Sequence, residues 1–190
     1  MPGAFHEIWL IRHGETEWSR SGQHTSRTDI PLTAEGERRA LRLKDILDGK
    51  QFALVLSSPL RRARDTARLA GYDAEPADDL REWDYGDYEG LTTAEIQRTN
   101  PQWTIWIGTP PGGETIEQVG ARADRVIARA LDAPGDVAVF GHGHMLRVLG
   151  ARWAGFAPAC GGSLGLATGS ISVLGWEHVT RVIRLWNRDA

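Results

Sequence analysis

Three times along the chain a short β-forming run breaks off at a polar turn rich in Gly, Pro or Ser and gives way to a helical pattern. Phe5 to Ile11 (FHEIWLI) stops at Arg12-His13-Gly14, Ala53 to Leu56 at Ser57-Ser58-Pro59, and Asp136 to Phe140 (DVAVF) at Gly141-His142-Gly143. Short runs with apolar centres, alternating with helical segments, are what a parallel sheet covered on both faces requires. Thr33 caps a helix whose Ala40, Leu43, Ile46 and Leu47 share one face and which ends at Gly49. A second helix runs through Arg61 to Ala70, with Pro59 suited to its first turn. Others run from Glu114 to about Leu131 and from near Met145 to Trp153. Ser170 to Leu174 and Val179 to Trp186 alternate as two closing strands joined near Glu177-His178. The order predicts an α/β fold, a three-layer sandwich with a mostly parallel central sheet and helices on both faces.

No internal repeat, low-complexity tract or long linker divides the chain, so residues 1–190 read as a single domain. The middle is irregular. Leu80 to Glu114 carries Trp83, Tyr85, Tyr88, Trp103 and Trp106 among several Gly and Pro residues, and predicts a lid-like insertion or pocket wall at about 81–114.

Composition removes several function classes. With 22 Lys+Arg against 25 Asp+Glu, the net charge of −3 provides no basic field for nucleic acid. The lone Cys160 rules out an internal disulfide. No apolar run approaches the ~20 residues of a membrane span, and the first residues lack a basic-then-apolar leader. The cytoplasm is the expected compartment. All but two of the basic residues are Arg, a planar fork of donors suited to phosphate or carboxylate.

In open α/β sheets the ligand crevice lies beyond the carboxyl ends of the strands. His13 and His142 occupy two such ends, and Arg12, Arg61, Arg62 and Arg64 lie nearby in the pattern, so the crevice predicted there wants a dianion. The residues around them form an ordered set: Leu10-Ile-Arg-His-Gly-Glu-Thr-Glu-Trp18, Asp29-Ile-Pro-Leu-Thr33 with Gly36, Ser57-Ser-Pro-Leu-Arg-Arg-Ala63 with Thr66-Ala67, Leu80-Arg-Glu-Trp-Asp-Tyr-Gly86 with Glu89-Gly90, Pro111-Gly-Gly-Glu114, and Gly141-His-Gly-His-Met-Leu-Arg147. Over essentially its whole length the chain resembles the histidine phosphatase family, the phosphoglycerate-mutase-like phosphotransferases. The resemblance implies that His13 is the nucleophile that becomes phosphorylated, that Arg12, Arg62 and His142 bind the phosphoryl group, and that Glu82 is the proton donor.

The residue types suit that chemistry. Phosphoryl transfer spreads charge over three equatorial oxygens, so catalysis is mainly positioning and electrostatics. Accelerating hydrolysis of a phosphate monoester can require up to ~10²¹-fold, about 28 kcal/mol, so a cluster of preorganised donors is expected rather than one group. Arg12 and Arg62 should keep His13 unprotonated while receiving the dianion, which leaves no need for a metal or other cofactor. Leu80, Trp83 and Tyr85 are apolar surroundings that could keep Glu82 protonated, although Glu82 could instead pair with Arg81 at the surface. The family resemblance places Gly22-Gln23-His24-Thr25-Ser26-Arg27 at the pocket mouth. Ser19, Gln23, His24, Thr25, Gly143 and His144 are therefore candidate substrate contacts. The pair His142 and His144 also matches two zinc ligands, but no third follows at matching spacing.

Within the family, mutases that use a bisphosphate cofactor carry an Arg after the Glu and a longer insertion with a Lys. Here Trp83 follows Glu82, and Thr99 to Pro111 has no basic residue. Water should therefore be the acceptor, and the expected enzyme is a phosphatase acting on small phosphate esters such as sugar phosphates. The alternatives are a mutase-type phosphotransferase and a non-catalytic phospho-ligand binder. The closing strands offer an edge for a homodimer.

Overall fold

In a computed structural model, described for residues 5–47 and 49–189, the alternation resolves into one six-stranded sheet. Its elements are β1 (Ile8–Arg12), α1 (Glu17–Ser21), α2 (Ala34–Leu47), β2 (Leu54–Ser57), α3 (Arg61–Leu69), β3 (Glu75–Pro76), α4 (Thr93–Ile96), α5 (Ile116–Leu131), β4 (Val137–Gly141), α6 (Gly143–Trp153), β5 (Ile171–Glu177) and β6 (Thr180–Arg188). The strand order is β3-β2-β4-β1-β5-β6. The first four strands of that order pair in parallel, and β5 is antiparallel to both β1 and β6.

The period-2 alternation of each buried strand divides its side chains between two cores. Ile8, Leu10, Val137 and Val139 pack with Val119, Ala123, Val126 and Ile127 of α5 and with Met145, Leu146 and Leu149 of α6. Ile11, Ala138 and Phe140 point the other way, onto Leu43 and Leu47 of α2 and Ala67 of α3. Helices therefore cover both faces. No described helix is long and apolar enough to cross a membrane.

Several boundaries differ from the sequence expectation. β1 begins at Ile8 rather than Phe5: its parallel partner begins only at Val137, and the chain before it is fastened by a side chain, with the Glu7 amide donating to Asp136 Oδ1 at 2.8 Å. Pro59 lies outside α3, which starts at Arg61. The helix cap Leu60 has no side-chain bond, and the Arg61 amide instead donates to Asp29 Oδ1 at 2.7 Å, a cap 32 residues away that no local pattern reveals. The closing hairpin is longer than expected and turns at His178, which takes φ 53°. The pattern had no signal for β3, with two residues, or for α1 and α4, with five and four. The irregular segment contributes a few residues to the core: Trp83, Tyr85, Ile96, Trp103 and Ile105 are buried in one cluster with residues of α5 and α6.

Candidate active site

The parallel register sets Arg12 beside Gly141 and Ser57 beside Phe140. The three turns that follow β1, β4 and β2 therefore emerge side by side, carrying His13, His142 and Ser58. The His13 amide donates to the Gly141 carbonyl at 3.0 Å and the Ser58 amide to the Phe140 carbonyl at 2.9 Å, so these turns are pinned by backbone bonds. The two imidazoles lie with ring centroids 5.1 Å apart at 60°. Gly14 must lack a side chain because a Cβ there would sit 2.4 Å from the carbonyl oxygen of Gly36. The turn carrying His13 thus abuts the first turn of α2, whose Gly36 amide is capped by Thr33 Oγ1 at 3.0 Å.

His13 is buried, and its Nδ1 lies 2.7 Å from the Gly14 carbonyl. A carbonyl only accepts, so Nδ1 carries the proton and Nε2 presents a lone pair. Burial first, then the charges of Arg62 and Arg12, hold the ring well below its ordinary pKa of 6.5, against the Gly14 bond that raises it. A neutral imidazole with Nε2 bare is the state a nucleophile needs.

Arg12 donates to the Leu166 carbonyl, while its Nε is buried with no hydrogen-bond partner among the described residues. Its guanidinium lies over Gly143, where a Cβ would come within 3.1 Å of Arg12 Cζ. Arg62 is 1% exposed and forms no ion pair with a carboxylate among the described residues. Its Nε donates to His142 Nδ1 at 3.2 Å, and its terminal nitrogens to the carbonyls of Thr28 and Thr25, each at 3.1 Å. Arg61, the other candidate, pairs with Asp65 on the exposed side of α3.

Glu82 is buried, not paired with Arg81, which bonds Asp78 instead. Its surroundings are less apolar than the sequence implied. Oε1 accepts from the amides of Trp83 and Met145, each at 2.9 Å, and Oε2 from the amide of His144 at 3.0 Å. His144 and Met145 open α6, whose cap residue His142 makes no side-chain capping bond. Glu82 therefore caps that helix from a distant segment, and the carboxyl group is aimed by backbone. Behind it, Glu114 takes a two-pronged bond from Arg122 at 2.8 and 2.7 Å and accepts from the Asp84 amide at 3.0 Å.

A cavity of about 220 Å³ opens over this cluster. Arg12, His13 and Glu82 line it together with Ser19, Gln23, His24, Thr25, Gly143 and His144. Arg62 and His142 are buried and do not line it. Several of the predicted contacts have local duties as well. Ser19 Oγ closes a capping box with Thr16. The Gln23 amide donates to the Gly90 carbonyl at 2.8 Å and accepts from Ser21 Oγ at 2.6 Å. His24 stacks on Tyr85 with centroids 4.7 Å apart, and burial lowers its pKa. His144 Nδ1 lies 2.6 Å from the Tyr85 hydroxyl. Burial, then Arg147, hold His144 well below 6.5. The rings of His142 and His144 thus face different partners and do not converge on one point.

Thr16, Gly22, Tyr85, Thr93, Arg147 and Leu166 also line the cavity and are not among the candidates named from the sequence; two of them carry functional groups of interest. Tyr85 was noted only as an aromatic neighbour of Glu82, and Arg147 only as the last residue of a motif. Arg147 lies over Trp106 at 4.5 Å, held by the carbonyls of Gly161 and Gly162 at 3.0 and 2.9 Å, and forms no ion pair among the described residues, though it feels the charge of Glu82. Its i+4 spacing from Gly143, the first residue of α6, was the one available clue that it would point the same way.

A basic pocket at the carboxyl ends of parallel strands, with an imidazole bare at one nitrogen in its lining, belongs to an α/β enzyme that handles a tetrahedral anion. The family profile of the histidine phosphatase superfamily (branch 1) matches residues 8–189, and the chain belongs to that superfamily. It is 41% identical over 181 residues to the acid phosphatase of Mycobacterium tuberculosis, spanning 93% of this chain and 89% of that one. It is 38% identical over 190 residues to sedoheptulose 1,7-bisphosphatase of Saccharomyces cerevisiae, spanning 82% and 70%. Its fold matches a solved structure of an open reading frame from Mycobacterium tuberculosis with a TM-score of 0.93 at 39% identity, over 97% of this chain and 98% of that one. The protein is a phosphatase.

Proposed function

We propose that this phosphatase hydrolyses phosphomonoesters of small anionic metabolites, sugar phosphates among them, through a phosphohistidine on His13 and without a metal ion. The observation that carries the reading is the His13 tautomer: Nδ1 is committed to Gly14, which leaves Nε2 as the free nucleophilic nitrogen under two guanidiniums. The ester phosphoryl group sits against Arg12, Arg62 and His142. His13 Nε2 attacks phosphorus in line as the ester oxygen leaves, and Glu82 gives that oxygen its proton. Water then attacks the phosphohistidine, Glu82 takes a proton from it, and inorganic phosphate departs with His13 and Glu82 restored. The two arginines supply the positive charge that a divalent cation would otherwise bring to the equatorial oxygens.

The catalytic unit in this reading is the whole chain, residues 1–190, as a single domain. Arg147 supports an anionic leaving group: a half-buried cation on the cavity wall, disfavoured by desolvation and by Arg12, attracted by Glu82 but in no ion pair among the described residues, favours a second phosphate or a carboxylate there. The test is hydrolysis of an aryl phosphate with excess chelator. Turnover should be unchanged, and loss of activity that returns with added metal would reject the mechanism.

A further inference from the structure

Trp106, in the irregular segment, does not line the cavity, yet it touches two residues of α6 that do, His144 and Arg147. Arg147 Cζ lies 4.5 Å from the centre of its ring, and the His144 ring lies 5.3 Å away, centroid to centroid, at 64°. Trp106 also meets Trp83 edge to face, with centroids 5.8 Å apart at 87°. Trp83 is itself fixed, its Nε1 donating to the Glu114 carbonyl at 2.9 Å.

The turn that holds Arg147 also holds the indole. Arg147 Nε and Nη2 donate to the carbonyls of Gly161 and Gly162. A Cβ on Gly161 would fall 3.0 Å from Trp106 Cζ3 and from the Arg147 carbonyl oxygen, and one on Gly162 would fall 3.1 Å from Trp106 Cγ. A side chain at either position would press on the indole or on α6, so glycine lets this turn come close enough for its carbonyls to reach the guanidinium.

A guanidinium carries five N–H donors. Two of them go to the glycine carbonyls, while Nη1 makes no hydrogen bond among the described residues. Neither an indole face nor a carbonyl carries net charge, so Arg147 is ordered in advance without being neutralised, unlike Arg122, which Glu114 pairs at 2.7 Å. An arginine free to move on a cavity wall would lose its rotamer freedom only when an anion bound, which weakens binding.

We propose that Trp106 is a positioning residue: its ring face, together with the Gly161 and Gly162 carbonyls, holds Arg147 ready for the second anionic group of a doubly charged substrate. It thereby sets the preference for such substrates over simple monophosphates. This rests on the reading that Arg147 meets the leaving group. Leucine at position 106 offers no π face, so the carbonyls alone would hold the guanidinium, and more of its ordering would fall to the moment of binding.

The experiment compares kcat/KM for a hexose bisphosphate with that for the hexose monophosphate lacking its second phosphate, in wild type, Trp106→Leu, Arg147→Gln and the double variant. Trp106→Leu should lower the ratio about 3- to 30-fold, the span of a cation–π contact from exposed to desolvated, through KM of the bisphosphate rather than kcat. In the Arg147→Gln background the same change should lower it no further, because Trp106 acts through Arg147. A ratio untouched by Trp106→Leu, or lowered as much when Arg147 is absent, overturns the inference. Where Trp106→Leu does not fold, fluorinated tryptophan placed at residue 106 decides, since fluorine keeps the shape and draws negative charge from the ring face. The ratio should then fall with each added fluorine, and a flat response overturns the inference. An Arg147→Gln variant with the wild-type ratio removes the reading of Arg147 on which the inference rests, whereas one that loses the preference while Trp106→Leu keeps it removes the role of Trp106 alone.

Discussion

Replacing Glu82 by Gln tests two roles at once, because the carboxylate both faces the cavity and caps α6. Its oxygens are unequal: Oε1 accepts two amide hydrogens and Oε2 one. A glutamine should keep its carbonyl oxygen where two donors converge, which sets its NH2 against the His144 amide. One hydrogen bond to the carboxyl group is lost and a buried amide is left unsatisfied, at a cost of about 1–3 kcal/mol, and two donors now face each other. At roughly 2–4 °C per kcal/mol for a chain of this size, Tm should fall by about 2–12 °C. The catalytic effect is separate. Loss of a general acid should slow alkyl phosphates by ~10² to 10⁴, whereas aryl phosphates, whose leaving groups need little protonation, should lose much less. Differential scanning calorimetry and kcat on matched alkyl and aryl esters read the two effects. An unchanged Tm would refute the capping role, and equal losses on both ester types would refute the acid role.

His13→Ala should abolish turnover while wild type, quenched rapidly without acid, carries phosphate on His13; phosphate on any other residue contradicts the mechanism. His13, His142 and His144 are all held neutral by burial, well below the unfolded value of about 6.5, so the unfolded chain binds more protons below that pH. Stability should therefore be full above pH 6.5 and fall as pH drops toward the folded values, by up to about 1.4 kcal/mol per pH unit for each ring. Urea unfolding that is flat between pH 7 and 5.5 would show that these rings are not held neutral. Arg147→Gln should raise KM about tenfold for sugar bisphosphates, one charge-assisted contact, with little change for aryl phosphates; an equal change for both would place Arg147 outside the leaving-group site.

Three strand-to-helix transitions and their chemistry-bearing turns were legible in the sequence because they depend on local periodicity and on residue types that few other sites combine. Arg12, His13, Arg62, Glu82 and His142 could be singled out without coordinates because the ordered motifs that hold them resemble those of the histidine phosphatases. Local pattern says nothing of contacts made across the sheet. The cap that Glu82 places on α6, the Asp29 cap on α3, the partnering of Tyr85 with His144 and the exposure of Arg147 to the cavity each join segments at least 32 residues apart or depend on which way a helix is turned. The same holds for protonation. A histidine in a sequence carries no tautomer, and only the Gly14 carbonyl against one ring and the Ser58–Arg62 pair around the other determine which nitrogen is bare. Residue identity sets which groups are available. The parallel register, by bringing three strand ends together and excluding water from them, decides which of those groups are charged, which donate, and which have no partner among the described residues.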